Sequence, residues 1–312
     1  MGSRSYWHRK RAAKLVPRLR AFRQESKGAT GFLGYKAGMV QLLIIDDSES
    51  PLKNQEVTRA ATVVEVPPAY VYSIVAYGRT DTGLVAVGEA PAMNAPKQLS
   101  RTISIAKKAK LTPEGLEKME GIEEVRIMAA SEPWKGSFKR TPDFFEMPIA
   151  GPGIKEKFDY AKSILGKEIR FSDVFNEGEF LDVTAVTTGK GWQGAVKRFG
   201  VALNPRKATK SRRHGGTLGA ERQGKVMYTV PRAGQMGFHR RTEKNKRVML
   251  IGDVSKAAQV VPKGGFPHFG VIKGDFIIME GSLAGPVKRV LRFRKALSGK
   301  AARKPQIKAF GY

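Results

Sequence analysis

The stretch GKGWQG, at Gly189–Gly194, has the G-x-G-x-x-G spacing that lets a backbone turn approach a phosphate closely. It follows a predicted strand, which is the usual context of a dinucleotide site. Such a site also needs an acidic residue about 20 positions further on to hold the ribose. No Asp or Glu lies between Asp182 and Glu221. The motif therefore predicts a turn that approaches phosphate, with Trp192 as a stacking or packing residue. An RNA-processing or NAD-linked enzyme that uses these glycines is the alternative.

A second candidate motif is PRAGQMGFHRR, at Pro231–Arg241, which combines cations, an amide and aromatic rings. Arginines suit phosphates, Phe238 and His239 suit stacking on bases, and Gln235 suits base edges or the ribose 2′-hydroxyl. This composition is typical of a segment that binds irregularly folded RNA.

The other residues give little sign of catalytic or metal chemistry. The chain has no cysteine, so disulfides and thiolate metal sites are excluded. The sequence contains no H-E-x-x-H motif and no Walker phosphate loop. Its histidines are His8, His214, His239 and His268. We therefore expect a protein without catalytic residues, metal, cofactor or small-molecule substrate.

The positive charge of the chain is large and unevenly distributed. Its 312 residues include 56 Lys and Arg against 28 Asp and Glu, a formal charge of +28. Residues 1–27 carry +8, residues 189–247 carry +14 and residues 286–312 carry +9, whereas the remaining 199 carry −3. A solvated surface normally mixes both signs. Tracts with almost no acids therefore predict a polyanionic partner, either nucleic acid or an anionic membrane.

The membrane alternative is the weaker of the two. The best uncharged apolar run, Ala37–Ile45, has nine residues, whereas a membrane span needs about 20. Binding to anionic lipid calls for an amphipathic helix; Trp7–Phe22 comes nearest, but Pro17 interrupts it. The basic start lacks the apolar segment of a secretory signal, and Pro17 and the few serines argue against a mitochondrial transit peptide. We expect a cytoplasmic protein that binds no membrane.

The N-terminal tract places two rings among cations. Trp7 and His8 lie beside Arg9, Lys10 and Arg11. The rings could stack on bases, or Trp7 could dock the arm on the body of the protein.

Short runs rich in Val, Ile and Tyr flank the central basic tract and predict a mainly β protein. Strands are predicted at residues 41–45, 61–66, 70–77, 84–87, 125–129, 167–171, 180–187, 247–254, 269–272, 276–280 and 287–294. Pro113–Met119 is predicted as a helix capped by Thr112, and Lys273–Asp275 as a hairpin turn. Because strands flank residues 189–247, the ends of this loop are expected to lie close together, and its composition predicts ordering on RNA.

These elements predict seven segments along the chain. They are a basic arm (1–27), three parts of a barrel or sandwich (28–96, 167–188 and 248–294), an inserted α+β subdomain with a long irregular stretch (97–166), a basic internal loop (189–247) and a basic C-terminal coil (295–312). The stretch VKRVLRFR, at Val287–Arg294, predicts a half-buried strand with one cationic face.

Five long stretches carry a family resemblance. They are TTGKGWQGAVKRFG (Thr187–Gly200), LNPRKATKSRRHGG (Leu203–Gly216), VPRAGQMGFHRRTEKNKR (Val230–Arg247), TGFLGYKAGM (Thr30–Met39) and VIKGDFIIMEGSLAGP (Val271–Pro286). With these motifs the chain resembles the universal large-subunit ribosomal protein L-three family, in its archaeal and eukaryotic type. The resemblance covers essentially the whole chain.

The resemblance implies a closed β-barrel of the translation-protein type on the solvent side of the large ribosomal subunit. It implies that an arm and a loop reach inward through rRNA, with the loop tip near the peptidyl transferase centre. It also implies a structural protein that acts early in assembly and is not an enzyme. The expected partners are large-subunit rRNA and neighbouring ribosomal proteins, without homo-oligomer formation.

The rRNA-binding residues are expected in the arm and the loop. They are Trp7, His8, Arg9, Lys10, Arg11, Gly189, Lys190, Gly191, Trp192, Lys197, Arg198, Arg206, Lys207, Lys210, Arg212, Arg213, His214, Arg222, Lys225, Arg232, Gly234, Gln235, Gly237, His239, Arg240 and Arg241. The expected loop tip is Gly219, Ala220 and Glu221, where Glu221 replaces the tryptophan that the family usually carries. A carboxylate among phosphates needs a neighbouring arginine or a base amine, so an aromatic role does not carry over.

Overall fold

The fold is that of a computed structural model, which describes residues 9–19, 21–22, 28–106, 108–136, 138–207, 211–220, 224–298 and 301–311. The chain divides into two compact units. The loop unit comprises residues 1–14 and 186–241, and the main unit comprises residues 15–185 and 242–312.

The described residues are mainly β. The strands are β1 (Gly28–Ala29), β2 (Gly31–Ile45), β3 (Glu56–Glu65), β4 (Ala69–Thr80), β5 (Gly83–Pro91), β6 (Ile122–Ser131), β7 (Phe144–Ala150), β8 (Glu168–Ile169), β9 (Phe180–Val186), β10 (Trp192–Gln193), β11 (Gly234–Gln235), β12 (Arg240–Gly252), β13 (Phe276–Glu280), β14 (Val290–Lys295) and β15 (Gln306–Gly311). The α-helices are α1 (Pro113–Glu117), α2 (Ile154–Ile164), α3 (Ala195–Phe199) and α4 (Val254–Val260).

Six strands form a closed ring of hydrogen-bonded neighbours. Their order is β14, β9, β12, β13, β3 and β2, and β14 also pairs with β2, which closes the ring. The long strand β2 allows this closure, because its first residues pair with β14 while Gln41–Ile45 pair with β15. Phe32 on β2 and Phe293 on β14 both pack edge-on against Phe171, so aromatic rings fill part of the core.

A second sheet has the order β1, β7, β6, β4 and β5, with β8 also paired to β4. Helix α2 buries Phe158 and Ala161 in the core, and α1 buries Leu116. Thr112 caps α1, its hydroxyl accepting a hydrogen bond from the Gly115 amide at 3.2 Å. The residues of both sheets share one apolar core.

The prediction of a mainly β protein is confirmed, but the pairing of its strands was not predictable locally. The segment 28–96, expected to belong wholly to the barrel or sandwich, divides between the two sheets. Strands β2 and β3 join the ring, whereas β4 and β5 join the second sheet. Apolar β-runs look alike in sequence whichever sheet they enter, because the partner strand lies far away along the chain.

Three local predictions were wrong. Residues 269–272 form no strand, so Lys273–Asp275 does not turn a hairpin; instead β13 pairs with β3 and β12. The C-terminal segment is not all coil, since β15 pairs with β2. The long irregular stretch expected in 97–166 contains β7 and α2. The prolines of this stretch argued against regular structure, but each proline lies near an end of β7 or α2 or outside both elements.

The cationic face predicted for residues 287–294 was also wrong in its exposure. Arg292 and Arg294 on β14 are only 2 % and 8 % exposed. The Arg294 guanidinium donates to Asp182 Oδ2 at 3.0 and 3.2 Å, and Arg292 donates to the carbonyl of Glu146 at 2.7 Å. These cations point into the protein because internal acceptors receive them.

Candidate nucleic-acid interface

The loop unit concentrates cations with almost no acids. Its 70 residues contain 18 Lys and Arg against a single carboxylate, that of Glu221. Because internal carboxylates are lacking, the charge of this unit has to be neutralised by another molecule or by solvent ions.

A two-stranded ribbon organises the glycine motif. Trp192 pairs with Gln235 and Gln193 pairs with Gly234 across β10 and β11. Gln193 Nε2 also donates to the carbonyl of Lys190 at 2.6 Å. The backbone at Trp192 is therefore fixed by its pairing with β11, yet the residue is 76 % exposed.

Gly237 completes the turn beside this ribbon. Its φ is +70°, a region that favours glycine, and an added Cβ would collide with the Thr188 carbonyl oxygen. Lys190 and Met236 are joined by a backbone hydrogen bond of 2.9 Å, and Phe238 donates to Thr188 at 3.3 Å. The two glycine-containing motifs of the sequence thus lie side by side.

Helix α3 follows the ribbon and positions Arg198. The guanidinium of Arg198 donates to the carbonyls of Gln235 and Arg232, both at 3.1 Å, and lies 5.0 Å from the ring centroid of Phe199. Arg9 lies over the same ring at 4.7 Å, so two guanidiniums share one aromatic partner. Burial, followed by the charge of Arg9, lowers the pKa of Arg198.

The N-terminal arm is held by the same unit. The Ala12 amide donates to the Phe238 carbonyl at 2.8 Å, and His239 Nδ1 lies 3.1 Å from the Lys10 carbonyl. His239 is 8 % exposed, and burial lowers its pKa. The His239 ring therefore makes internal contacts where the sequence predicted stacking on a base.

The distal part of the loop presents its side chains to solvent. Arg212 Nε donates to the Asn204 carbonyl at 3.0 Å, and the Asn204 amide donates to the Arg212 carbonyl at 3.0 Å. This reciprocal pair joins the two sides of the segment. Exposed residues of the loop unit, among those expected to bind rRNA, are Lys10, Arg11, Gly189, Lys190, Gly191, Trp192, Lys197, Arg206, Lys207, Arg212, Arg213, His214, Lys225, Arg232 and Arg240.

Other expected residues lie deeper or outside the description. Arg9, Arg198, Gln235, Gly237 and Arg241 are half-buried, whereas Gly234 and His239 are buried. Gly219 and Ala220 of the expected tip are exposed. Five predicted residues lie outside the described residues, namely Trp7, His8, Lys210, Glu221 and Arg222.

The structure adds Phe199 and Asn204 to the residues that shape this site. Phe199 is buried and contacts two guanidiniums, and Asn204 fixes the distal segment. A lone Phe after a basic pair gives no sequence signal for this role, because Arg9, its second partner, is distant in sequence.

The basic tract 286–312 differs from the loop unit. Besides the buried pairs of β14, Lys304 lies 3.3 Å from Glu177, and Lys308 forms an ion pair with Glu56. Arg303 donates to the Asp47 carbonyl at 3.1 Å. Much of the charge of this tract is therefore engaged inside the main unit, which charge counting along the sequence could not reveal.

The described ranges of the chain contain no group of three or more His, Asp and Glu positioned to hold a metal ion. None of their helices is long and apolar enough to span a bilayer.

A ring of β-strands joined in one chain to a cationic, almost acid-free loop unit is typical of nucleic-acid-binding proteins. The profile of the family described as ribosomal protein L3 matches residues 1–309, and the chain belongs to this family. Its relatives include proteins named large ribosomal subunit protein uL3 from three archaea. The protein of Methanothermobacter thermautotrophicus is 40 % identical, covering 98 % of this chain and 94 % of its own.

Two further relatives carry the same name. The protein of Methanopyrus kandleri is 42 % identical over 95 % of this chain and 84 % of its own. That of Pyrobaculum calidifontis is 43 % identical over 98 % and 95 %. Family membership makes this chain a large-subunit ribosomal protein of the cytoplasmic ribosome and not an enzyme. The alternative of an enzyme that uses Gly189–Gly194 is therefore wrong.

Proposed function

We propose that the chain binds large-subunit rRNA directly, chiefly through the loop unit, and supports early assembly of the subunit. The observation that carries this proposal is the ratio of 18 Lys and Arg to one carboxylate in that unit. Each phosphate neutralised by a cation releases condensed counterions, which favours binding.

The exposed side chains of the loop unit divide into two kinds of contact. Lysines and arginines such as Arg206 and Arg213 provide phosphate contacts, which position the protein. Trp192, held by the ribbon and 76 % exposed, offers a surface on which an unpaired base stacks. Arg198 and His239 contribute indirectly, because their hydrogen bonds fix the backbone that carries these groups.

The finer assignments rest on the family. The ring of six strands is consistent with the barrel shared with translation factors, and we propose that the main unit lies on the solvent side of the subunit. The exposed distal loop would then extend through rRNA toward the peptidyl transferase centre. We propose large-subunit rRNA and neighbouring ribosomal proteins as partners, with one copy of the chain per subunit.

One boundary of the predicted seven segments changes in this proposal. The chain returns from the loop unit to the main unit after Arg241. We therefore place the functional loop at residues 186–241 and not at 189–247. Within it, the expected tip at Gly219 and Ala220 continues to Glu221, whose carboxylate we expect to meet an arginine or a base amine.

Salt dependence tests the proposal. The change is replacement of Arg206, Lys207, Arg212 and Arg213 by Gln in the full chain, with binding to a large-subunit rRNA measured by filter retention at several salt concentrations. We expect weaker binding and a salt slope reduced by up to about 0.9 per lost phosphate contact.

The matched control removes four exposed cations of the main unit, Lys53, Lys97, Lys155 and Lys263, again with Gln. This control variant loses the same four charges and should leave the slope of log affinity against log salt nearly unaltered. Equal loss in both variants would mean that net charge, and not the loop unit, governs binding, and the proposal would be wrong.

A further inference from the structure

Strand β5 is an edge strand of the second sheet. It pairs with β4 from Thr80↔Gly83 to Ser73↔Pro91, and in the described part of the chain no strand pairs with its other side. In an edge strand, alternate residues turn their N–H and C=O groups away from the sheet. Four residues, Gly83–Ala86, run regularly before a register shift at the β4 residues Ala76 and Tyr77. This stretch can accept the backbone of another strand.

The side chains of this edge are aliphatic and exposed. Leu84, Val85 and Val87 are 39 %, 48 % and 45 % exposed. Soluble proteins usually protect such edges with lysine, proline or inward-pointing charges. Residues 83–90 contain no Lys, Arg or Pro, and the carboxylate of Glu89 accepts a hydrogen bond from Ser73. The bulge at Val87 is itself a protective feature, but among the described residues it leaves Gly83–Ala86 unprotected, and this stretch invites a partner.

The charges beside the edge argue against RNA as that partner. Asp81 lies in the turn before β5, and Glu120 follows Met119, whose sulfur lies 3.5 Å from a Cβ added at Gly88 of β5. Glu123 lies on β6, across β4 from β5, and pairs with Arg79 at 3.1 Å, while Asp81 and Glu120 are exposed. Lys118, which is exposed, makes the surface mixed in sign. Carboxylates next to aliphatic side chains repel phosphate but suit a protein strand with a basic residue.

We propose that β5 is a docking edge for a short extended segment of a neighbouring protein. The segment adds as a strand along Gly83–Ala86, places aliphatic side chains against Leu84, Val85 or Val87, and carries a Lys or Arg that meets Asp81 or Glu120. This proposal depends on the proposed function only in that the partner is sought in the large subunit.

Photocrosslinking in cells tests the docking edge. The full chain carries p-benzoylphenylalanine in place of Val85, or in place of the equally exposed Leu52 of the β2–β3 turn as control. After irradiation the crosslinked species are sequenced. We expect position 85 to crosslink to an extended basic segment of one protein, and position 52 not to crosslink to it. Crosslinks from position 85 only to RNA, only to a second copy of the chain, or to nothing would overturn the proposal.

A charge change sharpens this test. Glu120→Lys should lower the crosslink yield from position 85 several-fold, whereas Glu49→Lys, an exposed acid elsewhere, should leave it unchanged; equal yields in both would contradict the charge contact. Backbone amides 84–86 should also exchange about tenfold more slowly in the bound than in the free chain; an unchanged rate would exclude strand addition.

Sedimentation of the same cells reports the proposed function separately. A chain that enters the large subunit but shows no protein crosslink at position 85 refutes the docking edge alone. A chain that crosslinks to a protein yet does not sediment with the subunit refutes the proposed function and leaves the docking edge standing.

Discussion

Gly237 shows how a single residue fixes the geometry of the loop unit. At its φ of +70° an added Cβ would meet the Thr188 carbonyl oxygen. We expect Gly237→Ala to destabilise the local ribbon by about 1–3 kcal/mol, since it combines an unfavourable backbone region with a collision. Hydrogen exchange at the Lys190, Met236 and Phe238 amides should accelerate.

Gly216 supplies the control in the same unit. An added Cβ there meets no atom within 4 Å, and its φ is not positive. Gly216→Ala should therefore leave the three amides protected as before. Equal acceleration in both variants would show that the ribbon is not held by the turn at Gly237.

Trp192 is the residue at which base stacking can be tested most directly. Loss of a stacked aromatic costs about 1–3 kcal/mol per base, so Trp192→Ala should weaken rRNA binding by about 5- to 150-fold. Trp192→Phe should recover part of the loss, because the phenyl ring still stacks. The measurement is the dissociation constant for large-subunit rRNA at one fixed salt concentration.

Leu52→Ala is the matched control, since Leu52 is an exposed apolar residue of the main unit. It should leave rRNA affinity unchanged. If Trp192→Ala bound as tightly as Leu52→Ala, the exposed indole would not be a stacking surface.

The chemistry of the site was more predictable at this scale than its geometry. Charge counting and the motifs at Gly189–Gly194 and Pro231–Arg241 predicted segments that lie together in the loop unit, whereas the equally acid-free tract 286–312 is largely paired within the main unit. The internal role of His239 could not be predicted, because its partner at Lys10 is distant in the chain. A buried and an exposed histidine look the same in sequence.

At the scale of the element, β14 carries two buried arginines with different partners. Arg294 pairs with Asp182, whose side chain is 1 % exposed. Arg294→Met would leave this carboxylate buried without its cation and should cost about 3–5 kcal/mol. The measurement is the free energy of unfolding of the free chain in urea at neutral pH.

Arg292 is the comparison within the same strand. Burial lowers its pKa to about 9, so it remains charged at neutral pH at the expense of desolvation. Arg292 donates to the Glu146 carbonyl, whereas the Glu146 carboxylate forms an ion pair with Arg126 at 3.1 Å. Arg292→Met should therefore change stability by about 1 kcal/mol or less, or stabilise the fold. Equal losses in both variants would contradict the role given to Asp182.

Element prediction succeeded where local signals were complete. Pro113 at the first turn and Thr112 as cap identified α1, and Val/Ile-rich runs identified part of each ring strand. They missed residues 31–40 of β2, which include the residues that pair with β14. It failed at Lys273–Asp275 because a Gly-Asp turn signal does not reveal which strands pair. Strand β13 is satisfied by partners some 25 to more than 200 residues away along the chain, and no local pattern encodes such partners.

At the scale of the whole molecule, the main unit contains the packed apolar clusters, whereas the loop unit concentrates cations with almost no acids. Both apolar core clusters of the described residues lie in the main unit, although Val186 and Phe199 of the loop unit are also buried. The Thr187 amide donates to the His239 carbonyl at 3.0 Å, so the ends of the loop meet, as the flanking strands predicted. A short turn can therefore replace everything between them.

We expect replacement of residues 189–238 by a Gly-Asn-Gly turn to leave the main unit folded. Cooperativity should be retained and the urea midpoint should not fall, because the apolar area buried in the main unit remains and the shorter connection lowers the entropic cost of loop closure by about 2 kcal/mol. Affinity for rRNA should fall strongly, and the slope of log affinity against log salt should become shallower, because most of the cations of the loop unit are removed. Cells that depend on this variant should accumulate incomplete large subunits. A variant that unfolds would show that the loop unit helps to hold the main unit together, whereas one that binds rRNA normally would move the binding surface to the main unit.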